Sequence, residues 1–294
     1  MPKAYFPHAY LTETARRRPE LWRLLVGLLL IGVLVSLLNM VFFAALVAMG
    51  PNEWAQELLA GSSPLALILL LVSFGFITFG VAVAARKMQH RTLWSILGER
   101  RLAETQFVSV LKALLILGVI GFLLPPYSMG GELTQKLPLT TWVLLLPVAA
   151  FAVLIQVSAE EILFRGYIQQ TLAARFNSPI IWMGVPSILF AVGHYAPDAA
   201  GGNALLIALW AFVFGLLASD LTARAGTLGP AIALHFFNNV IALLFISLPD
   251  SLSGLALFVL PFDTSDAEQL RPWLLVDLVM MFVCWLAARL ALRR

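Results

Sequence analysis

Eight stretches of this chain are apolar for long enough to enter a bilayer, and that feature excludes most folds before any motif is weighed. They are Leu24–Met49, Leu65–Ala85, Phe107–Leu124, Leu139–Ser158, Ile180–Gly193, Ala204–Ser219, Leu228–Leu248 and Trp273–Leu292. Crossing about 30 Å of hydrocarbon takes roughly 20 residues in a helix. Backbone groups in lipid must satisfy their own hydrogen bonds, which leaves helices or a closed barrel. With 61% hydrophobic and 12% charged residues, runs of this length predict an all-α, polytopic membrane bundle of about eight transmembrane helices, some of them short.

The charges that remain are sorted by loop. Lys3, Arg16, Arg17, Arg18 and Arg23 precede the first run, and Arg86, Lys87, Arg91, Arg100, Arg101 and Lys112 surround the second connection. Arg175, Arg224, Arg289, Arg293 and Arg294 mark later even-numbered ends, while the other segments hold mainly Glu53, Glu57, Glu132, Asp198, Asp250, Asp263, Asp266 and Glu268. Positive residues concentrate on the cytoplasmic side, so both termini are expected there, as an even span count requires. The net charge of +3 follows from this topology and calls for no nucleic-acid partner.

Residues 1–20 read as a basic cytoplasmic segment at the lipid headgroups, and residues 21–294 as a single transmembrane domain. The first apolar run is too long for a cleaved signal peptide and is expected to stay attached. Residues 86–106 contain His90–Gly98, where basic and apolar side chains alternate as in an interfacial helix. Pro125-Pro126 with Gly130-Gly131, and residues 261–268, read as outer loops. The single cysteine, Cys284, can form no intrachain disulfide and reads as packing.

Ionisable groups at membrane depth are expensive and mark sites or pathways. The stretch SAEEILFRGY carries Glu160, Glu161 and Arg165 directly after an apolar run. On a helix Glu161 and Arg165 share a face at i, i+4, while Glu160 projects about 100° away. The arginine can neutralise one carboxylate and leave Glu160 as a base; equally, the trio could mark the cytoplasmic end of the fourth span. His194 is either a second functional group or an interfacial residue. His235 and Asn239, again i, i+4, either serve a site or bond each other. Asp220 and Asp277 read as interfacial caps, and His8 and His90 take no role. Convergence of Glu160, His194 and His235 requires the fourth span to end near Arg175, long or broken near Pro147, with Arg165 inside the protein.

Glu160-Glu161-x-x-x-Arg165, Phe190-x-x-x-His194 and His235-x-x-x-Asn239, in this order, resemble the three signature motifs of the CPBP family: type II CAAX prenyl endopeptidases and bacteriocin-processing (Abi) intramembrane proteases. Phe164-Arg165-Gly166 and Thr227 also match. The resemblance covers about residues 140–245, the expected catalytic core. It implies an intramembrane endopeptidase in which Glu160 and His194 activate a water and His235 and Asn239 stabilise the oxyanion, with Glu161 and Arg165 as a supporting pair. Carboxylate and imidazole suit general-base work, and imidazole and amide N–H groups suit an oxyanion.

Glu160, His194 and His235 could also serve as a His₂Glu set for zinc, but the contiguous His-Glu-x-x-His is absent, and a metal-free glutamate mechanism is preferred. The competing readings are a transporter using Glu160, Glu161 and Arg165 as an ion or proton relay, and a non-catalytic membrane scaffold. A relay would predict inverted repeats, and none is visible. The expected partners are the lipid bilayer and a membrane-associated peptide or protein. With no recognisable organelle signal, the expected location is a prokaryotic plasma membrane and the expected substrate is unprenylated.

Overall fold

The computed structural model describes residues 3–51, 54–124 and 131–293. Glu53 and the Pro125-Pro126 turn, read above as lying on the outer side, fall outside these residues. Six helices are long and apolar enough to cross a membrane: α1 (Leu21–Met49), α2 (Pro64–Gln89), α3 (Arg100–Leu123), α4 (Leu139–Arg175), α6 (Pro197–Ala225) and α8 (Ala267–Leu292). Two shorter apolar helices, α5 (Pro179–Gly193) and α7 (Gly229–Phe245), complete an all-α polytopic bundle.

Burial sorts these helices into a core and a rim. Only 11% of the apolar window of α3 is buried, against 56% of that of α6. Leu25, Leu29, Ile116, Val119, Leu275 and Val279 are exposed, the pattern of a rim facing lipid tails. Between the rim helices lie α4, α5, α6 and α7, whose contacts include Trp182, Phe190, Phe214 and Leu234. Small residues let backbones approach where side chains cannot separate them. A Cβ built on Gly229 would sit 2.2 Å from the carbonyl oxygen of Ala103, at the start of α7 against α3. Because a backbone atom cannot rotate away, Gly229→Ala should cost about 1–3 kcal/mol, read as a lowered midpoint of thermal unfolding.

The fourth apolar run is longer than a single crossing needs. At 1.5 Å per residue its 37-residue helix extends about 55 Å, and it does not break at Pro147, which lies inside regular α-helix. Its irregularity comes later: Ile162–Ile168 is π-helical, starting immediately after Glu161. Wide turns of this kind are frequent at functional sites. The helix continues to Arg175, so Arg165 lies in the interior, 1% exposed. One part of the structure left no signal in the apolar pattern. Thr134–Gln135 (β1), Ile246–Ser247 (β2) and Phe258–Val259 (β3) form a small sheet in the order β1-β3-β2, antiparallel between β1 and β3 and parallel between β2 and β3. It ties the start of α4 to the end of α7.

Residues 3–17 pack onto the bundle. Tyr5 donates to Asp220 at 2.8 Å, and the His8 ring lies 4.9 Å from that of Trp182. His8 is fully buried, unlike the role-free residue its polar neighbours suggested; its partner is remote in sequence. Desolvation, helped by Arg16, pushes its pKa down to about 3. The folded chain therefore binds fewer protons than the unfolded chain between that value and the ordinary 6.5, and the docked segment loses stability as pH falls through this window. Amide protection of residues 3–17, taken relative to the intrinsic exchange rate at each pH, should fall on going from pH about 7 to about 5, and His8→Phe should remove that dependence.

Two further readings are corrected. Residues 86–106 are not one interfacial helix: residues up to Gln89 finish α2, Arg100 begins α3, and only Leu93–Leu97 forms a short helix between them. Arg91 there is 2% exposed. Asp220 is no simple cap either, since it accepts from Tyr5, Arg224 and Trp285 and joins three elements. Asp277 lies well inside α8, whose N-terminus is capped by Asp266 through the amides of Glu268 and Gln269.

Candidate active site

Glu160 and Glu161 close the regular part of α4 and face α7. Glu161 is fully buried; its Oε1 accepts from Arg165 at 3.1 Å and from His235 Nδ1 at 2.8 Å. An ionised carboxylate only accepts, so Nδ1 carries the proton. His235 Nε2 is thereby turned toward Glu160, 3.6 Å from Oε2. That is beyond hydrogen-bond length, and Glu160 Oε2 is buried without a hydrogen-bond partner.

The other oxygen of Glu160 is held. Gln156 donates to Oε1 at 2.8 Å, and the Gln156 carbonyl oxygen accepts from Asn239 at 2.9 Å. Gln156 was not singled out from the sequence, although an amide within an apolar run, four residues before Glu160, marks the same helix face. Glu161, Arg165 and His235 form one hydrogen-bonded trio and Glu160, Gln156 and Asn239 another, and the 3.6 Å approach of His235 to Glu160 brings them into one cluster. Two carboxylates face one guanidinium, and unmatched charge in a low-dielectric interior is costly. A proton on His235 would complete the balance and put an N–H on Nε2.

His194 stands apart. It follows the last turn of α5, half-buried, and its Nδ1 lies 2.8 Å from the carbonyl oxygen of Phe190. A carbonyl only accepts, so Nδ1 is protonated and the Nε2 lone pair is free. His194 makes no hydrogen bond to the cluster. The two sets meet through Phe190, whose ring lies 4.4 Å from that of His194 and 6.0 Å from that of His235. Arg165 sits 4.7 Å over the same ring. The phenylalanine four residues before His194 is therefore a spacer for both imidazoles.

The zinc donors named above do not converge. Among the described residues no group of three or more His, Cys, Asp or Glu side chains is arranged to hold a metal ion, and His194 is the member of that set that lies away from the others' hydrogen-bond cluster.

Residues 141–241 match the family model described as type II CAAX prenyl endopeptidase, Rce1-like. The core of this chain is similar to that family. The matched segment contains every member of the cluster and His194, so the resemblance seen in the motifs holds where the geometry gathers them. That likeness supports the class of CAAX-type intramembrane proteases over a transporter or scaffold. The chain is also 26% identical over 249 residues to YyaK of Bacillus subtilis (strain 168), described as an uncharacterized protein, covering 80% of this chain and 81% of that one. That similarity runs beyond the Rce1-like core into its flanking helices. No solved structure matches the chain.

Proposed function

We propose that the protein cleaves a peptide bond within the bilayer, using Glu160 as the base that activates water. Glu160 carries the reading: Gln156 fixes one oxygen while the other is buried without a hydrogen-bond partner. A water oxygen beside Oε2 would give its proton to Glu160 as it attacks the scissile carbonyl carbon. His194, with Nε2 free, would orient that water from its other side. The developing oxyanion would accept from His235 Nε2–H and from Asn239. Glu161, held by Arg165, would accept the Nδ1–H of a doubly protonated His235 so that its Nε2–H faces the oxyanion, and Glu160 would pass its proton to the leaving amine.

In this reading the substrate is a membrane-associated peptide, unprenylated, in a prokaryotic plasma membrane, and no metal takes part. The test is product analysis by mass spectrometry after incubating reconstituted protein with matched prenylated and unprenylated peptides. Cleavage of the unprenylated set, unchanged after prolonged dialysis against chelator, is the expected result. Activity lost on dialysis and restored by zinc would overturn the metal-free mechanism. Proton-coupled uptake without cleavage, abolished in Glu160→Gln, would overturn the protease.

A further inference from the structure

The end of the bundle where α1 begins and α2 ends carries a second built site. A cavity of about 240 Å³ is lined by Thr14, Arg17, Arg18, His90, Arg91 and Ser95, with Gln89 and Thr92 completing it, and no carboxylate lines it. Its floor is Arg91, 2% exposed. Arg91 reaches only neutral oxygens, those of Gln89, Ser95 and Gln170, and its Nε is buried with no hydrogen-bond partner. Among the described residues no carboxylate lies within ion-pair distance of it. Burial without a counter-charge pulls its pKa down to about 10. The Thr14 hydroxyl is also buried and unpartnered. A buried cation is ordinarily paired, and this one borders a basic cavity with one N–H unpartnered.

Next to it lies a larger, mostly apolar groove of about 450 Å³ whose walls include Pro7, Tyr10, Leu11, Trp94 and Leu102. The two share Thr14 and Ser95, so a phosphate-sized basic chamber opens beside a greasy channel. Glu99 borders the groove, but its carboxylate is occupied in capping α3 through the amides of Arg101 and Leu102.

We propose that this pair of cavities binds a phosphate-bearing amphiphile, with the phosphate against Arg91, Arg17 and Arg18 and an acyl chain in the groove. Guanidinium forks match phosphate oxygens. Occupancy would reach α4, because Arg91 bonds Gln170 and Gln89 donates to Thr171 at 2.8 Å, both on the helix that carries Glu160.

The experiment uses the full chain in detergent, titrated with dioctanoyl phosphatidic acid, dioctanoylglycerol and inorganic phosphate, and read by thermal shift and native mass spectrometry. Phosphatidic acid should bind best, and Arg17→Gln/Arg18→Gln should weaken it about tenfold or more. Arg91→Gln should do the same; the double variant alters more accessible side chains, so it decides the matter if the buried change fails to fold. Equal binding of dioctanoylglycerol, or phosphatidic acid binding that survives the double variant, would overturn the site. Inorganic phosphate binding as tightly as phosphatidic acid, with the same variant dependence, would overturn the amphiphile and leave a free-phosphate pocket.

Discussion

Glu160→Gln should lower peptide cleavage by about 10²–10⁴-fold, the range a positioned general base contributes, while leaving the protein folded. The substitution is nearly isosteric. Its amide oxygen can still accept from Gln156, which now donates to Oε1 at 2.8 Å, so the link to Asn239 persists. What it cannot do is take a proton from water. His194→Ala should cause a comparable loss, since the freed Nε2 lone pair disappears and nothing in the cluster depends on that ring. Single-turnover rates with thermal unfolding measured in parallel separate chemistry from folding. Cleavage at the parent rate by the glutamine variant would remove Glu160 from the mechanism.

Arg165→Met should be among the most destabilising single changes in the molecule, by about 3–5 kcal/mol. Arg165 is 1% exposed, with Glu161 fully buried beside it, and its guanidinium lies 4.7 Å from the Phe190 ring and 5.9 Å from those of Phe164 and Phe214. Methionine fills much of the volume but strips Glu161 of its counter-charge and leaves a carboxylate stranded in an apolar interior. Glu161→Gln/Arg165→Met should recover much of the loss, because both charges are then absent. The readout is the midpoint of thermal unfolding in one detergent. A single variant as stable as the parent would show that the pair does not hold the helix.

The membrane character was legible because lipid imposes a length and composition on each span that survives any packing arrangement. The same reasoning placed Arg165 inside the protein once α4 was allowed to run to Arg175, and the i, i+4 rule paired it with Glu161. The pairing of His235 with Glu161, in place of Asn239, was invisible, since the two lie 74 positions apart. Gln156 was passed over because a lone amide in an apolar run has no charge to draw notice.

Local chemistry therefore dictated which helices form and which residues are too polar to be idle in lipid. Contacts between helices decided the rest: that His8 is buried under Trp182, that Arg91 floors a basic cavity, and that Phe190 stands against both imidazoles while His194 stays outside the hydrogen-bonded cluster. Helix formation depends on neighbours a few residues away, which a sequence displays directly. Charge pairing and cavity shape depend on distances through space, and those exist only once α4, α5 and α7 have packed.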